Sequence, residues 1–301
     1  MPVPAERDHT QGLFADRCAG IGDEAAPDLA GQIEAVRALG WSRIELRTVE
    51  RTALADLPPE AVRDLAHRLR DADLAVVCLA SRIGNWARPV TTPFETDLAE
   101  LETLLDQCAV LGCRFVRVMS YPNDGLGARE WASQAIDRLG RLAHRARTAG
   151  VTLLHENCAG WAGQSATRML RLLRETDSPA LRLLFDTGNG VPHGYDAAAL
   201  LRQILPYVAH VHIKDARRTP QGTTEYVLPG DGDAQVADCL RTLLESGYRG
   251  AFSLEPHLSA RPHAGVDAGT DAARPFVAAG RRLEQLLAPH HDTAARAAGT
   301  P

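Results

Sequence analysis

Eight short apolar runs, each followed by an amphipathic segment, are the feature of this sequence that most limits its fold. The runs are rich in Val, Ile, Leu and Phe, and such alternation is typical of βα units around a parallel sheet. We expect strands over residues 18–21, 43–47, 74–80, 114–120, 151–156, 181–186, 208–214 and 250–255. Eight strands that are each followed by a helix predict an α/β protein with a (β/α)₈ TIM barrel.

The segments between these runs have the pattern of helices. Apolar residues recur at three- and four-residue steps in several of them, and a glycine follows "VRAL", "AVL", "RARTA" and "LLES", where a helix C-terminus favours a left-handed residue. A doubly wound open sheet is the main alternative, but no GxGxxG motif follows the first strand. Residues 217–231 resemble a βα loop enlarged by a small hairpin.

The length of the chain suits one large domain. It has 301 residues, of which 45% are hydrophobic, and a closed α/β barrel commonly needs about 250 residues. We therefore expect a single catalytic barrel domain over residues 1–288 and a disordered, Ala-rich tail over residues 289–301.

Charge and cysteine content exclude several classes of protein. The net charge of −5 comes from 33 basic and 38 acidic residues that are mixed throughout, which gives no sign of a nucleic-acid or anionic-membrane partner. Six cysteines without CxxC or zinc-finger spacing favour reduced thiols. With neither an apolar signal core nor a stretch of about 18 apolar residues, the sequence predicts a soluble cytoplasmic protein.

Ionisable residues end four successive predicted strands. Strand five ends in "LLHEN" with Glu156, strand six in "LLFDTGN" with Asp186, strand seven in "HVHIKD" with His212, and strand eight in "FSLEPH" with Glu255. A single polar residue at a strand end commonly faces solvent or caps the next helix. Four at equivalent positions converge on the open mouth of a barrel, where three buried carboxylates need a counter-charge such as a divalent cation.

The donor set also indicates which metal to expect. Oxygen-rich ligation with a single imidazole suits Mn²⁺ or Mg²⁺ and tolerates Co²⁺, whereas a tight Zn²⁺ site more often has several His or Cys ligands. We expect one divalent ion, with Mn²⁺ as the first choice and Mg²⁺, Co²⁺ or Zn²⁺ as alternatives.

The order HEN, FDTGN, HVHIKD, LPGDGD and SLEPH resembles the sugar phosphate isomerase/epimerase family with the xylose-isomerase-like TIM barrel. This superfamily includes ketose 3-epimerases, pentulose-phosphate 3-epimerases, hydroxypyruvate isomerases, inosose dehydratases and type IV endonucleases. The resemblance covers roughly residues 18–255 and is most specific in the second half of the chain. It implies that Glu156, Asp186, His212 and Glu255 hold one metal, and that the two glutamates act as acid and base.

The choice of subfamily depends on two short motifs. Ketose 3-epimerases that act on free sugars often have a DxxH motif after strand six, where this chain has Asn189 in "DTGN". The pentulose-phosphate 3-epimerases are similar to it in an Asp-x-Gly-Asn motif and in a later loop like Gly230-Asp231-Gly232. No Gly-rich cradle or dense basic cluster marks a phosphate site, so phosphate in the substrate is implied by the resemblance alone.

Further polar and aromatic residues near the strand ends are candidates for substrate contact. They are Glu45, Asn189, His210, Lys214, Asp215, Arg217, Arg218 and Trp161. Structural alternatives exist for several: Glu45 could form a buried ion pair, His210 could be a layer of the barrel, and Trp161 could pack in a loop. For Arg117 and His155 the functional and structural alternatives are both open. His155 should point away from the mouth of the barrel if Glu156 points into it.

These residues predict a divalent-metal-dependent sugar isomerase or epimerase. It would move a proton beside the carbonyl of a ketose, ketose phosphate or related keto-polyol through a metal-stabilised enediolate, with Glu156 and Glu255 as acid and base. A lyase that dehydrates an inosose or keto-sugar is the alternative; a DNA-repair endonuclease and a non-catalytic sugar-binding barrel are less consistent with one His ligand and two glutamates. The expected partner is a small sugar or sugar phosphate, and the resemblance is compatible with a homodimer.

Overall fold

Eight parallel strands form a nearly closed barrel in this protein. A computed structural model describes residues 14–259, 261, 265 and 272–290. The strands are β1 (Cys18–Gly20), β2 (Arg43–Leu46), β3 (Ala75–Ala80), β4 (Phe115–Ser120), β5 (Thr152–Gly160), β6 (Leu181–Asp186), β7 (Val208–Ile213) and β8 (Phe252–Leu254). The sheet order is β1-β8-β7-β6-β5-β4-β3-β2, and one parallel bridge between Ile21 and Glu45 joins β1 to β2. All eight predicted strands and the TIM barrel are thereby confirmed.

Each strand is followed by a helix on the outside of the barrel. The helices are α1 (Leu29–Ala38), α2 (Pro59–Asp71), α3 (Phe94–Leu111), α4 (Ala128–Thr148), α5 (Ala166–Thr176), α6 (Ala197–Ile204), α7 (Val236–Glu245) and α8 (Ala273–Leu287). Asp28, Ser165 and Asp196 cap α1, α5 and α6 by accepting a backbone N–H from the first turn. The four glycines expected after helices all have positive φ.

The apolar core lies mainly between the barrel and the helices. Because successive strand residues face opposite sides, one set of strand side chains packs outward on the helices and the other fills the barrel. Inside the barrel, Cys78, Leu154 and Leu184 form a separate small apolar cluster. Toward the C-terminal ends of the strands, the interior positions of β5, β6 and β7 change to Glu156, Asp186 and His212. The fold thus places these polar side chains nearer the mouth of the barrel than the small apolar cluster.

The hairpin expected after the seventh strand is confirmed. Asp215–Arg218 pairs antiparallel with Thr224–Val227, directly beyond β7. Of the tail predicted over 289–301, residues 291–301 lie outside the described residues. Among the described residues, no helix is both long and apolar enough to cross a membrane.

Candidate metal centre and active site

Four ionisable side chains meet inside the mouth of the barrel. Glu156 is on β5, Asp186 ends β6, His212 is on β7, and Glu255 follows β8, where its backbone N–H still pairs with Ile213 of β7. All four side chains are buried, and each offers one ligand atom within 4.8 Å of the others. The strand ends therefore bring together the four residues that the sequence singled out.

The "DTGN" sequence after β6 fixes the orientation of the Asp186 carboxylate. Oδ1 of Asp186 accepts hydrogen bonds from the backbone N–H groups of Gly188 (2.8 Å) and Asn189 (2.7 Å). Oδ2 is buried; it lies 3.0 Å from Nζ of Lys214 and 4.0 Å from Nδ1 of His212. The turn thus leaves one oxygen of Asp186 directed at the imidazole of the neighbouring strand.

Glu45 holds the imidazole of His212 from the other side. Its Oε1 lies 3.0 Å from His212 Nε2, and its Oε2 lies 2.8 Å from His210 Nε2. Nδ1 of His212 is therefore left to face the cluster, where it is buried without a hydrogen-bond partner. Glu45 and His210 were predicted to contact substrate; in the structure both are buried, bonded to each other, and absent from the lining of the 300 Å³ cavity that opens onto the cluster. Their position suits support of the His212 imidazole.

Lys214 supplies positive charge to the cluster. Its Nζ lies 2.8 Å from Glu255 Oε2 and 3.0 Å from Asp186 Oδ2. Burial raises the pKa of Asp186 to about 7, an effect that Lys214 opposes. Burial alone would also raise the pKa of Glu255, but Lys214, His257 and His212 hold it well below its usual value. The cluster is therefore a buried acidic site that depends on nearby cations.

The four side chains fit a divalent cation. Asp186 Oδ2 pairs with Lys214 Nζ at 3.0 Å, while His212 Nδ1 has no hydrogen-bond partner and lies 3.5 Å from Glu255 Oε2; with Glu156 they form a set of three oxygen donors and one nitrogen. Three buried carboxylates beside a ring nitrogen that has no hydrogen bond are costly, so a cation at this place is the economical explanation. Bonding of the other imidazole nitrogen to a carboxylate is also the usual arrangement for a metal-binding histidine.

A cavity of about 300 Å³ opens onto this cluster. Its lining includes Glu156, Glu255, Asn189 and Lys214, together with Arg117, Trp86, Tyr226 and His257. Asn189 Nδ2 donates to Glu156 Oε1 at 3.1 Å, so the asparagine positions one of the two glutamates. A larger groove of about 790 Å³ lies on the outer helices and contains none of the four clustered residues.

Comparison with known proteins identifies the family. The family model described as xylose isomerase-like TIM barrel matches residues 33–276. The chain belongs to the xylose isomerase-like TIM barrel family. A curated relative is the inosose dehydratase of Geobacillus kaustophilus, which is 31% identical over 140 residues, or 42% of this chain and 45% of the relative. The match thus spans about half the length of that relative.

Several solved structures share the xylose isomerase-like barrel. A D-allulose 3-epimerase from Methylomonas sp. in complex with D-allulose has a TM-score of 0.68 and 19% identity, covering 90% of this chain and 96% of that one. A xylose isomerase-like barrel protein from Mycobacterium smegmatis in complex with magnesium has a TM-score of 0.66 and 20% identity, covering 90% of this chain and 97% of that one. The IOLI protein with a bound zinc atom has a TM-score of 0.68 and 16% identity, covering 94% of this chain and 100% of that one. At these identities the likeness shows the fold.

Four other residues expected at the substrate lie outside the cavity of this xylose isomerase-like barrel. Asp215 is buried and accepts backbone N–H groups of its own loop. Arg217 is exposed and bonded to Glu225, and Arg218 donates to the carbonyls of Val191 and Gly222. Trp161 is buried, with the Arg171 guanidinium 5.4 Å from its ring centroid. Each has protein partners that account for its position, and none of the four lines the 300 Å³ cavity.

Sequence reasoning missed a second ionic network beside the cluster. Arg47 donates to Glu255 Oε1 (2.8 Å) and binds Asp23 through two nitrogens (2.7 and 3.0 Å). The Glu24 carboxylate accepts the backbone N–H of His257 at 2.7 Å and lies 2.8 Å from Nδ1 of the same histidine. Asp23 and Glu24 follow β1 in "GIGDE", so the strand-end argument that found the other residues applies to them also.

His155 and Cys158 flank Glu156 in sequence but have different surroundings. His155 is fully buried on the opposite side of β5 from Glu156, as expected, and neither ring nitrogen has a hydrogen-bond partner. Cys158 lines the cavity, but burial raises the pKa of its thiol, so it remains protonated near neutral pH. Neither residue is suited to act as a nucleophile.

Proposed function

We propose that this protein is a divalent-metal-dependent sugar isomerase or epimerase. It would move a proton beside the carbonyl of a ketose, ketose phosphate or related keto-polyol. The observation that carries the proposal is the placement of two glutamates, Glu156 and Glu255, in one buried cluster with Asp186 and His212, at the floor of one cavity. The family match supports it, since a D-allulose 3-epimerase shares the fold.

The two glutamates are the proposed acid and base. They reach the cavity from β5 and from the end of β8, with β6 and β7 between them, and so approach a bound carbon from different directions. One carboxylate removes the proton and the other returns it, which inverts the carbon; return to the neighbouring carbon gives an isomer. Asn189 holds Glu156, and Arg47 and Lys214 hold Glu255, which keeps both in place.

A divalent ion held by Glu156, Asp186, His212 and Glu255 would supply Lewis-acid polarisation of the substrate carbonyl and make the adjacent proton more acidic. Three oxygen donors and one nitrogen favour Mn²⁺ as the proposed ion. Magnesium and zinc in two proteins of the same fold support a divalent ion in general.

A dehydratase is the second candidate, and a specific observation favours it. The relative that is 31% identical over 140 residues is an inosose dehydratase. Dehydration of a keto-sugar also begins with proton removal beside the carbonyl, and differs only because a β-hydroxyl then leaves. The same site could therefore serve either reaction, and the mass of the product separates them.

The experiment is incubation of the Mn²⁺-loaded protein in D₂O with a panel of ketoses, ketose phosphates and inososes. Deuterium beside the carbonyl, followed by NMR and mass spectrometry, is expected without loss of water. Glu156→Gln and Glu255→Gln should each abolish the exchange, while Glu34→Gln, on the exposed side of α1, should leave it unchanged. Loss of 18 mass units would favour the dehydratase, and exchange that survives both glutamine variants would refute the assigned acid and base.

A further inference from the structure

Arg117 on β4 is buried at the junction of two cavities. It lines the 300 Å³ cavity above the cluster and an adjoining cavity of about 240 Å³ that also reaches Ser81, Asn85 and Trp86. The side chain is one of three arginines among the described residues that line these two spaces, with Arg47 and Arg82. Its residue exposure is only 5%. Arg117 is therefore positioned to contact whatever fills either cavity.

The hydrogen bonds of Arg117 are much less complete than those of the other two arginines. Arg47 donates four hydrogen bonds to carboxylates, and Arg82 donates three from its guanidinium. Arg117 donates one, from Nη1 to Glu156 Oε2 at 3.3 Å, and its Nε is buried without a partner. Charge-assisted bonds between arginine and carboxylate are normally about 2.7–2.9 Å. A guanidinium so poorly satisfied and so buried indicates a ligand at this position.

Binding of a metal would weaken the one ion pair that Arg117 makes. Arg47 and Lys214 pair with Glu255, and Lys214 also pairs with Asp186, whereas Arg117 pairs with Glu156. A divalent ion held by Glu156 would compete with Arg117 for that carboxylate. An anionic group on the substrate would give the guanidinium another partner.

We propose that the substrate carries a carboxylate or phosphate group, which Arg117 binds at the junction of the two cavities. This inference rests on the proposed function and narrows it from sugars in general to anionic keto-sugars or sugar acids. Because Nη1 of Arg117 is 3.3 Å from Glu156, the anion would lie beside the proposed acid/base. The planar guanidinium can bind either kind of anion through two parallel hydrogen bonds.

The test compares three six-carbon ligands that share a polyol chain and cannot turn over. They are sorbitol, gluconate and sorbitol 6-phosphate, titrated by calorimetry into the Mn²⁺-loaded protein. We expect at least one anion to bind about tenfold or more tightly than sorbitol, because one charge-assisted hydrogen bond corresponds to about that factor. Preference for gluconate assigns a carboxylate, and preference for sorbitol 6-phosphate assigns a phosphate.

Two variants and a control connect the preference to Arg117. Arg117→Met and Arg117→Gln should each reduce the preference to less than about threefold, and the pair guards against one of them failing to fold. Arg114→Met, at the exposed opposite end of the same strand, should keep it. Equal binding of all three ligands, or a preference that survives in the folded Arg117 variants, would overturn the proposal.

The outcome can be separated from the fate of the proposed function, because binding is measured without catalysis. Absence of deuterium exchange with every carbonyl compound would contradict the isomerase but leave the binding preference intact. Exchange that is as efficient with neutral ketoses as with anionic ones would support the isomerase and refute the role of Arg117.

Discussion

Glu45 is a buried carboxylate that orients a proposed metal ligand, His212, from outside the four-residue cluster. It bonds the Nε2 atoms of both His210 and His212, and so determines which nitrogen of His212 faces the cluster. Burial would raise the pKa of Glu45, but the two histidines hold it well below its usual value. Glu45 therefore stays ionised and would increase the electron density of the His212 imidazole, the proposed metal ligand.

Replacement of Glu45 should weaken metal binding without removing a ligand. We expect Glu45→Gln to bind Mn²⁺ about 10–100-fold more weakly, because the ring of His212 loses its fixed orientation and its charged partner. Titration calorimetry with Mn²⁺ measures the change, and Glu34→Gln is the control. Unchanged affinity in a folded Glu45→Gln protein would show that the carboxylate only neutralises the histidines.

Strand β5 has two faces with different roles. Its inner face carries Glu156, and its outer face carries His155, which lies beside Val118 of β4 and Leu183 of β6 in the parallel pairing. Burial lowers the pKa of His155 to about 3. The imidazole is therefore neutral in the folded protein at any pH well above 3.

His155 should make the protein sensitive to acid. The unfolded chain binds a proton at this residue below about pH 6.5, whereas the folded chain does so only near pH 3, so this contribution to stability is lost as the pH falls between those values. We expect acidification from pH 7 to pH 5 to lower the free energy of unfolding of His155→Leu by about 2 kcal/mol less than that of the parent protein.

Urea unfolding at both pH values measures the difference. His144→Leu, on the exposed side of α4, should retain the acid sensitivity of the parent. The same loss of stability in His155→Leu as in the parent would mean that the folded protein does take up this proton.

The loop after β7 is organised around the carboxylate of Asp215. Asp215 accepts the backbone N–H groups of Ala216 (2.8 Å), Gly230 (2.8 Å), Gly232 (3.0 Å) and Ala234 (3.1 Å). Position 232 requires a glycine, since a Cβ there would lie 2.3 Å from Asp215 Oδ1. The "PGDGD" sequence is thus explained by a loop that folds around one acid.

Loss of that acid should destabilise the protein strongly. We expect Asp215→Ala to lower the free energy of unfolding by at least about 3 kcal/mol, because four backbone N–H donors, two of them on buried residues, lose a charged acceptor. Asp231→Ala is the matched control in the same loop; its exposed ion pair with Arg282 should contribute less than about 1 kcal/mol. Similar losses in the two variants, measured by urea unfolding, would contradict this role.

The strand ends were readable from sequence because β-strand periodicity and position suffice to locate them. Glu156, Asp186, His212 and Glu255 each close an apolar run, so the fold alone predicts that they converge. The contact between Glu45 and His210 joins residues 165 positions apart, and that between Arg47 and Glu255 joins residues 208 apart. Such pairs depend on the register and closure of the barrel. They could not be predicted from local pattern, nor could the incomplete bonding of Arg117.

Over the whole molecule, the buried cluster should link metal binding to stability. An ion that binds only the folded state adds about 2.7 kcal/mol to the free energy of unfolding at one hundred times its Kd, which corresponds to an increase in Tm of about 4–5 °C for a domain of this size. We expect this increase with Mn²⁺ in a thermal melt. Asp186→Asn combined with Glu255→Gln should abolish it, and an equal increase in that double variant would place the ion elsewhere.

The backbone pairing that closes the barrel is weakest between β1 and β2, so local opening should begin there. Between β1 and β2 there is one backbone bridge, from Ile21 to Glu45, whereas β4 and β5 pair over most of their length. The ion pair of Asp23 with Arg47 spans the same seam, and Arg47 also lines the cavity. Amide protons beside this seam should exchange with solvent earlier than those of β4 and β5. A ligand that contacts Arg47 would slow that exchange, so occupancy of the cavity could be followed from the backbone of two strands that contribute none of the four clustered residues.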